Sequence, residues 1–444
     1  MTWSRFALSL LLLLFAGAEG MARADNPAVH PTNNRNALFH SAAASAKPEI
    51  KWSINLKARV KSMVIDSKGN LYLLCEENYK SILNAVSPKG KLLWSRPLEM
   101  NAGRGLSLYQ DRYLIVAGDR GTGSSIGISD DDPNKVVADY ADTVLYRYST
   151  DGTLEWGRTF EDTIMSLHGD ISIDQDGLIA FTGEYLAINE DYEKVSDLIT
   201  TRTEVKLFGV TMDGEAAFET IIEKSAKSDK PIHFSSPLFV NGSIYLASSV
   251  GYREQVSKYM QIGRFDKRDL TKFSKKGQRV GRVSFMGYRN GDPVYANGRI
   301  YVAGQLLNAF DENLTLRETY RPSAGAFPDG KPVIGPNGQI VYDHAVFNST
   351  GKQRWNFNPY VNKSLRWISY EDPVMDGRQN LLMTCRNFKT MSGKDSAVTS
   401  IDLRTGRTNW TIPISHVLDT PPVVGLDGTV YVAGTKLFAL GLKA

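Results

Sequence analysis

The chain has 444 residues, of which 42% are apolar and 23% are charged, so it has enough of both for a large core and a solvated surface. These proportions exclude disordered, collagen-like and low-complexity chains. Two cysteines exclude a disulfide-stapled scaffold and a multi-cysteine metal or iron–sulfur protein. The formal net charge is +4 and no basic stripe stands out, so we expect no nucleic-acid partner.

The N-terminus has the three-part composition of a secretory signal peptide. Residues 1–5 are a short basic start, residues 6–16 are an eleven-residue apolar run, and residues 22–24 (Ala-Arg-Ala) offer a cleavage site. No other run approaches the roughly 20 apolar residues of a membrane span. No cysteine precedes Cys75, which excludes a cysteine-based lipoprotein anchor. We therefore expect a cleaved signal (1–24), a flexible lead-in (25–47) and a secreted or periplasmic protein that neither spans a membrane nor is a lipoprotein.

One unit of sequence recurs along the rest of the chain. Each clear copy has a proline, a short apolar strand, an Asn-Gly or Asp-Gly pair and a second alternating strand; such copies start at residues 236, 292, 331, 372 and 421. Weaker copies start at residues 64, 108 and 172. Proline is tolerated at the start of a strand, and glycine supplies the positive φ of a tight hairpin. The pattern predicts eight β-hairpins.

A second signature follows most of these hairpins: a turn glycine with an aromatic residue four positions later. The pairs are Gly90/Trp94, Gly152/Trp156, Gly214/Phe218, Gly351/Trp355 and Gly406/Trp410. Each unit therefore holds two hairpins, or four antiparallel strands. The hairpin glycines between Gly69 and Gly428 are spaced by about 51 residues on average, which is in the range of β-propeller blades.

The two ends of the chain complete each other. Residues 49–56 have the pattern of a tryptophan-bearing outer strand but precede the first unit, whereas the eighth unit stops at residue 444 without one. Pairing them removes an exposed sheet edge. Length alone suggests two or three domains. The repeats instead predict one all-β domain over residues 48–444, an eight-bladed β-propeller of four-stranded antiparallel blades, closed by strand 49–56 in the C-terminal blade.

Residues 400–410 (SIDLRTGRTNW) resemble the tryptophan-docking repeat of the pyrroloquinoline-quinone-like propellers, and residues 348–355 and 85–94 are looser copies. The resemblance covers roughly residues 48–444. That family includes quinoprotein dehydrogenases and non-catalytic scaffolds such as the outer-membrane assembly propeller lipoprotein. The resemblance therefore implies a fold and not an activity. We expect the tryptophans to join neighbouring blades.

The same resemblance implies what a quinone-dependent enzyme of this family would carry: an adjacent cysteine pair and calcium ligands beside the cofactor. This sequence has no Cys-Cys pair. Cys75 and Cys385 occupy equivalent strand positions in blades separated by the eighth blade, beyond the reach of a disulfide of about 7 Å between Cα atoms. We expect both to be buried thiols. Pyrroloquinoline quinone is thus disfavoured, and no cofactor is expected.

An acidic insertion at residues 129–142 lies between the second and third strands of blade 2. Its aspartates could gather oxygen ligands for calcium: Asp130, Asp131, Asp132, Asp139 and Asp142. The spacing is not that of a known calcium loop, so the favoured interpretation is a solvated acidic loop. A second polar insertion, residues 189–203, is expected to project from blade 3. Loops longer than a blade needs often carry binding function.

The loops that enter the innermost strands of a propeller open near its central channel. In this sequence those loops carry polar and aromatic residues, namely His168, Asp170, His233, Arg289, Asp292, Trp367, Tyr370, Glu371, Asp372, His416 and Asp419. Together they would form a funnel that could bind a ligand or a peptide. The alternative, which we favour, is that the aspartates before proline form turns and that the rest is ordinary rim polarity.

No known catalytic motif occurs in the sequence: it has no Gly-x-Ser-x-Gly, His-Glu-x-x-His, Walker loop or dinucleotide fingerprint. The leading hypothesis is an exported, non-catalytic propeller, expected to be monomeric, that acts as a scaffold for a protein, another macromolecule or a ligand in the cell envelope or outside the cell. The alternative is a quinone-dependent dehydrogenase or carbohydrate-active enzyme that uses the funnel.

Overall fold

The computed structural model describes residues 39, 41–43, 46–121, 125–128, 136–139, 142–160, 165–187, 202–225, 232–257, 260–286, 291–304, 306–322, 331–342, 344–357, 367–369, 372–387 and 396–442. The predicted signal peptide lies outside these residues. The described residues contain no helix long and apolar enough to cross a membrane.

The fold is an eight-bladed β-propeller of antiparallel sheets, as predicted. Blade 1 comprises β2 (Arg59–Ile65), β3 (Leu71–Glu77), β4 (Lys80–Val86) and β5 (Leu92–Pro97). Blade 2 comprises β6 (Ala102–Tyr109), β7 (Tyr113–Arg120), β10 (Asp142–Ser149) and β11 (Leu154–Phe160), and its insertion is a separate hairpin of β8 (Ser125–Ile128) and β9 (Val136–Asp139). Blade 3 comprises β12 (Met165–Ile173), β13 (Ile179–Ala187), β14 (Arg202–Val210) and β15 (Ala216–Ser225).

In blades 4 and 7 the innermost strand is split into two short strands. Blade 4 comprises β16 (Ile232–Phe234), β17 (Leu238–Val240), β18 (Ser243–Ser257), β19 (Met260–Ser274) and β20 (Arg279–Met286). Blade 5 comprises β21 (Val294–Ala296), β22 (Arg299–Val302), β23 (Leu307–Phe310) and β24 (Leu316–Tyr320). Blade 6 comprises β25 (Val333–Ile334), β26 (Ile340–Tyr342), β27 (Ala345–Phe347) and β28 (Gln353–Asn356). Blade 7 comprises β29 (Trp367–Ser369), β30 (Val374–Met375), β31 (Asn380–Asn387), β32 (Ser396–Asp402) and β33 (Thr408–Ile414).

Blade 8 joins the two ends of the chain and closes the ring. It comprises β34 (Val423–Val424), β35 (Val430–Ala433), β36 (Lys436–Gly441) and, as its outer strand, β1 (Glu49–Asn55). β1 runs antiparallel to β36, from the pair Glu49–Gly441 to the pair Asn55–Lys436. The predicted closure is therefore confirmed.

The outer strand of blade 1 is more exposed than the strands inside it. In blade 1, residues 71–75 of β3 are all buried, whereas every residue of β5 is exposed or half-buried. Both cysteines belong to one apolar cluster that runs from blade 6 through blade 8 to blade 1. They are free, and burial raises the pKa of Cys75 and of Cys385 to about 12. Both thiols are therefore protonated at neutral pH, which fits the prediction of buried, unreactive cysteines.

Most blade junctions are made by an aromatic ring on the outer strand of one blade packed over a turn glycine in the next. The pairs are Trp52/Gly90, Trp94/Gly152, Trp156/Gly214, Phe218/Gly277, Tyr320/Gly351 and Trp355/Gly406. Trp94 also donates an indole hydrogen bond of 3.1 Å to the carbonyl of Thr150. A β-carbon added at Gly152 would lie 2.8 Å from the Trp94 ring, and the residue has φ +86°. Only glycine meets both requirements.

At the junction from blade 4 to blade 5, the glycine lies on the outer strand and the large side chain lies at the turn. Gly281 stands where the other outer strands carry an aromatic residue, and Leu314 stands at the turn position with φ 66°. The Leu314 side chain fills the space that the ring would occupy, since a β-carbon on Gly281 would lie 3.0 Å from it. The fully buried Arg268 of blade 4 also donates a hydrogen bond to the carbonyl of Ala303 in blade 5.

The described residues 39 and 41–43, near the end of the lead-in, are packed against the propeller. Phe39 and Ala43 are 1% and 2% exposed. The backbone of residues 39 and 41–43 bonds to the first hairpin turn of blade 7 and lies against Gly428 in blade 8. We call residues 39 and 41–43 the clasp. Its burial was not visible in the composition of the segment, because small polar residues are typical of linkers.

The two faces of the propeller differ in what they carry. The turn face holds the turns between first and second and between third and fourth strands. The entry face holds the loops into the innermost strands and the connections between second and third strands. On the entry face, the hairpin of β18 and β19 continues past the blade through residues 251–257 and 260–266, which among the described residues pair only with each other. At about 3.3 Å per residue, this ribbon extends roughly 23 Å.

We expect Trp94→Ala to lower the free energy of unfolding by about 2–3 kcal/mol, because it removes a half-buried ring and its hydrogen bond to Thr150. The midpoint of urea unfolding would measure this. Leu426→Ala, at a side chain that is 68% exposed, is the control and should change the midpoint little. Equal shifts of the midpoint for the two substitutions would contradict the role of Trp94 in joining blades 1 and 2.

Candidate functional site

Three of the predicted funnel aspartates meet at one lysine. Asp292 and Lys331 precede the innermost strands of blades 5 and 6, Asp372 lies just before β30 in blade 7, and Asp170 lies within β12 of blade 3. The Lys331 Nζ lies 2.9 Å from Asp292 Oδ2 and 3.6 Å from Asp170 Oδ2. The side chains of Asp170, Asp292 and Lys331 are 16%, 12% and 18% exposed. We call these four residues the axial cluster.

Lys331 spans the central axis. Blades 3 and 6 are separated by two blades, so a contact between their innermost strands runs across the channel and not along its wall. One ammonium group therefore lies near carboxylates of two other blades, the adjacent blade 5 and the more distant blade 3. In a partly buried setting such charges are screened less than at the surface.

The same positions are joined blade to blade through the backbone. The N–H of Asp170 donates to Ser236 Oγ (2.7 Å), and the N–H of Ser236 donates to Asp292 Oδ1 (2.7 Å). The N–H of Lys331 donates to Asp372 Oδ1 (3.0 Å). Each of these bonds satisfies a backbone donor in or beside the innermost strand of one blade with a side chain of the next blade. Asp292 and Asp372 thus accept hydrogen bonds from the backbone of the preceding blade.

The charges of the axial cluster act on Asp372. Burial raises the pKa of its carboxyl, the Lys331 ammonium and the Lys331 N–H oppose this, and the Asp292 and Asp170 carboxylates raise it again. The net result is a pKa above the ordinary value. Two carboxylates compete with Asp372 for one lysine, which is why Lys331 does not reverse the effect of burial.

Asp419 belongs to a second polar group, at blades 7, 8 and 1. Its Oδ1 lies 2.9 Å from Arg59 and 3.7 Å from Arg386. His416 lies nearby in the chain but is half-buried against the ring of Phe438, with Nδ1 2.6 Å from the carbonyl of Ser415. The predicted funnel is therefore divided between two groups of charges.

Of the remaining predicted residues, only some lie among the residues that the structure describes. The backbone of His168 lies in β12, that of His233 in β16 and that of Trp367 in β29. Arg289, Tyr370 and Glu371 lie outside the described residues. Of the predicted calcium ligands, Asp130, Asp131 and Asp132 lie outside them, Asp139 ends β9, and Asp142 forms an ion pair of 3.1 Å with Arg120.

Sequence reasoning missed Lys331, although a signal for it was present. Lys331-Pro332 occupies the repeat position that holds Asp292-Pro293 and Asp372-Pro373 in neighbouring blades. A lone base among acids at one repeat position indicates a charge-neutralising centre. Arg59 and Arg386 gave no such signal, because they lie at strand ends outside the repeat pattern.

The carboxylates at the axis do not fit the calcium ion that the resemblance implies. The ammonium of Lys331 already places a positive charge between Asp170 and Asp292. The described part of the chain holds no group of three histidine, cysteine, aspartate or glutamate residues placed to bind a metal ion.

Comparison with solved structures shows the fold. The chain superposes on a europium-containing methanol dehydrogenase with a TM-score of 0.58 and 8% identity, covering 94% of this chain and 98% of that one. It superposes on a quinohemoprotein alcohol dehydrogenase from Comamonas testosteroni with a TM-score of 0.58 and 11% identity, covering 97% of this chain and 82% of that one. It also superposes on a quinohemoprotein alcohol dehydrogenase from Pseudomonas putida HK5 with a TM-score of 0.56 and 9% identity, covering 94% of this chain and 80% of that one. This is the eight-bladed propeller fold of the pyrroloquinoline-quinone-like proteins.

At these identities the likeness extends to the fold alone. No protein-family model matches the sequence, and a comparison with curated proteins finds no match either. The shared fold accounts for the blade count and for the tryptophan-docking repeats. The axial cluster belongs to this chain and has to be interpreted from its own geometry.

We expect Lys331→Met to lower the free energy of unfolding by about 2–4 kcal/mol at pH 8, because it leaves three neighbouring carboxylates without that ammonium. At low pH these carboxylates are neutralised by protonation and repel one another less. The loss should therefore be smaller at pH 5. Lys61→Met, which breaks a more exposed pair with Glu76 at 3.4 Å, is the control. Equal losses for both variants at both pH values would contradict this.

Asp372→Asn tests the raised pKa directly. Asparagine keeps an Oδ1 that can accept the Lys331 N–H but cannot ionise. Because the folded-state pKa of Asp372 is raised, the wild type loses stability relative to this variant as pH rises through that pKa. Urea unfolding of both proteins between pH 4 and pH 8 should show the variant gaining relative stability. A relative loss over this range would show that the ionised carboxylate is stabilising.

Proposed function

We propose that this chain is an exported, non-catalytic scaffold that binds a protein partner in the cell envelope or outside the cell. The observation that carries this proposal is the cross-axis ion pair of Lys331 with Asp170 and Asp292. In a propeller the axis is the natural place for a small-molecule site. Here its polar groups neutralise one another and tie the blades together.

The extended hairpin of blade 4 supports a macromolecular partner. Residues 251–257 and 260–266 continue beyond the sheet on the entry face, and a two-stranded ribbon is marginally stable by itself in water. Its strand edges present backbone donors and acceptors of the kind that an added strand satisfies. We place the partner on this face, with the ribbon as one of its contacts.

The test is capture of a partner from an envelope extract of the host by the immobilised mature chain. The informative variant replaces residues 251–266 with Asn-Gly, which joins Val250 to Lys267, a pair already in register. The matched control, Lys68→Ala with Lys276→Ala, alters exposed charges on the turn face. We expect the wild type and the control to enrich the same protein at least about tenfold over the shortened variant, as the loss of an interface anchor implies.

A parallel assay addresses the enzyme alternative. The mature chain is incubated with pyrroloquinoline quinone and Ca²⁺ and tested for dye reduction with alcohols and sugars. Turnover that Lys331→Met alters would overturn the proposal, and so would failure to enrich any protein above a blank matrix. Equal capture by wild type and shortened variant would keep the scaffold and remove the ribbon from its interface.

A further inference from the structure

The junction between blades 7 and 8 differs from the others because the chain ends there. At six of the other junctions, an aromatic ring of one blade packs on the turn between third and fourth strands of the next. Blade 8 has no such turn, since its outer strand β1 comes from the N-terminus. Trp410 of blade 7, which is 3% exposed, therefore has no glycine turn to dock on. The clasp lies on the turn face at this same junction.

The clasp is held as an extended peptide is held by a binding site. The N–H of Phe39 donates to the carbonyl of Met375 (2.7 Å), the carbonyl of Ser41 accepts from the N–H of Gly377 (2.9 Å), and the N–H of Ala43 donates to Asp376 Oδ2 (3.0 Å). The contacts thus fall on alternate residues, which is the spacing of a strand bonded along one edge.

Asp376 is the residue of the propeller whose side chain is positioned to bind the clasp. It is fully buried, and its Oδ1 accepts the backbone N–H groups of Arg378 (2.9 Å) and Asn380 (2.8 Å). These bonds fix the carboxylate, so that Oδ2 faces Ala43 without further adjustment. A buried acceptor that is prepositioned for a backbone donor favours binding, because little side-chain entropy is lost when the bond forms.

The shape of the site also favours particular residues in the bound peptide. Phe39 is 1% exposed and belongs to the apolar cluster that contains Trp410, so it supplies the aromatic anchor. A β-carbon on Gly428 would lie 2.5 Å from the carbonyl of Ala42, so only glycine lets the peptide backbone approach blade 8 this closely. An aromatic residue followed by small residues satisfies both conditions.

We propose that the junction of blades 7 and 8 is a binding site for an extended peptide with an aromatic anchor, and that the clasp occupies it in cis. Because the clasp is joined to the propeller only through the short segment before β1, its release leaves β1 in place. A partner segment of the same chemistry can then take the site. This deepens the proposed scaffold role and rests on it for the identity of the partner.

The experiment uses the full mature chain and a fluorescein-labelled peptide of residues 35–47. In the Phe39→Ala chain the anchor of the clasp is lost, so we expect the peptide to bind this variant and to bind the wild type at least about tenfold more weakly, as competition from an intact clasp requires. The peptide carrying Phe39→Ala should bind about 30-fold more weakly, from the lost burial of one ring. The peptide carrying Lys47→Ala, at an exposed residue, should bind unchanged.

Two further measurements keep the outcome decisive. Adding Gly428→Ala to the Phe39→Ala chain should abolish peptide binding. Thermal unfolding of the Phe39→Ala chain should occur about 3–6 °C lower than in the wild type and recover when peptide is added. If that chain does not fold, hydrogen exchange of the wild type decides: the amides of Phe39, Ala43 and Gly377 should exchange together and faster than those of β36.

A folded Phe39→Ala chain that does not bind the peptide would overturn the proposal, as would a peptide whose binding is indifferent to Phe39. Exchange of the three amides at the rate of global unfolding would overturn it as well, because the clasp would then never leave its site. None of these results bears on partner capture by the entry face, so failure of the peptide site and failure of the scaffold role are distinguishable.

Discussion

Closure of the ring is the constraint on which the rest of this structure depends. Eight wedges must return to their starting point, so each junction has to hold, and a weak junction cannot be isolated from the others. Most junctions use one device, a ring over a turn glycine, such as Trp94 over Gly152. The turn glycine is indispensable to it, since a β-carbon would occupy the space of the ring. This is why the glycines recur at fixed positions while the strand residues vary.

Where that device is missing, the chain supplies a different one. At the junction of blades 4 and 5, Leu314 and Gly281 exchange the roles of turn and ring, and Arg268 adds a buried hydrogen bond across the blades. At the junction of blades 7 and 8, where the chain ends leave no turn, β1 supplies the missing strand and the clasp covers the turn face. In both cases the substitute contacts hold two neighbouring blades together, as closure of the ring requires.

The fold could be predicted from the sequence because its signals are local and repeated. The turn glycines, the prolines at strand starts and the orphan strand 49–56 each follow from backbone geometry, and eight copies make the pattern unmistakable. The axial cluster could be predicted only in part. Asp170, Asp292 and Asp372 were found by their repeat position, but their convergence on Lys331 depends on distances across the channel, which no local pattern encodes.

The clasp was missed for a related physical reason. Its residues are small and polar apart from Phe39, and its stability comes from backbone bonds to Met375 and Gly377, which are independent of side-chain identity. Composition predicts whether a segment can bury its own apolar surface. It does not predict whether another part of the chain offers backbone partners and a slot for one ring.

The axis and the chain ends together constrain where function can lie. A cross-channel ion pair stabilises the ring only if its carboxylates stay charged and its lysine stays in place, so a ligand that displaced Lys331 would have to replace a positive charge shared by blades 3 and 5. That cost makes the axis a poor site for an exchangeable ligand. The blade 4 ribbon lies on the entry face and the clasp site on the turn face. A partner that binds at either place does not have to displace Lys331, so the ion pairs of the axial cluster stay intact.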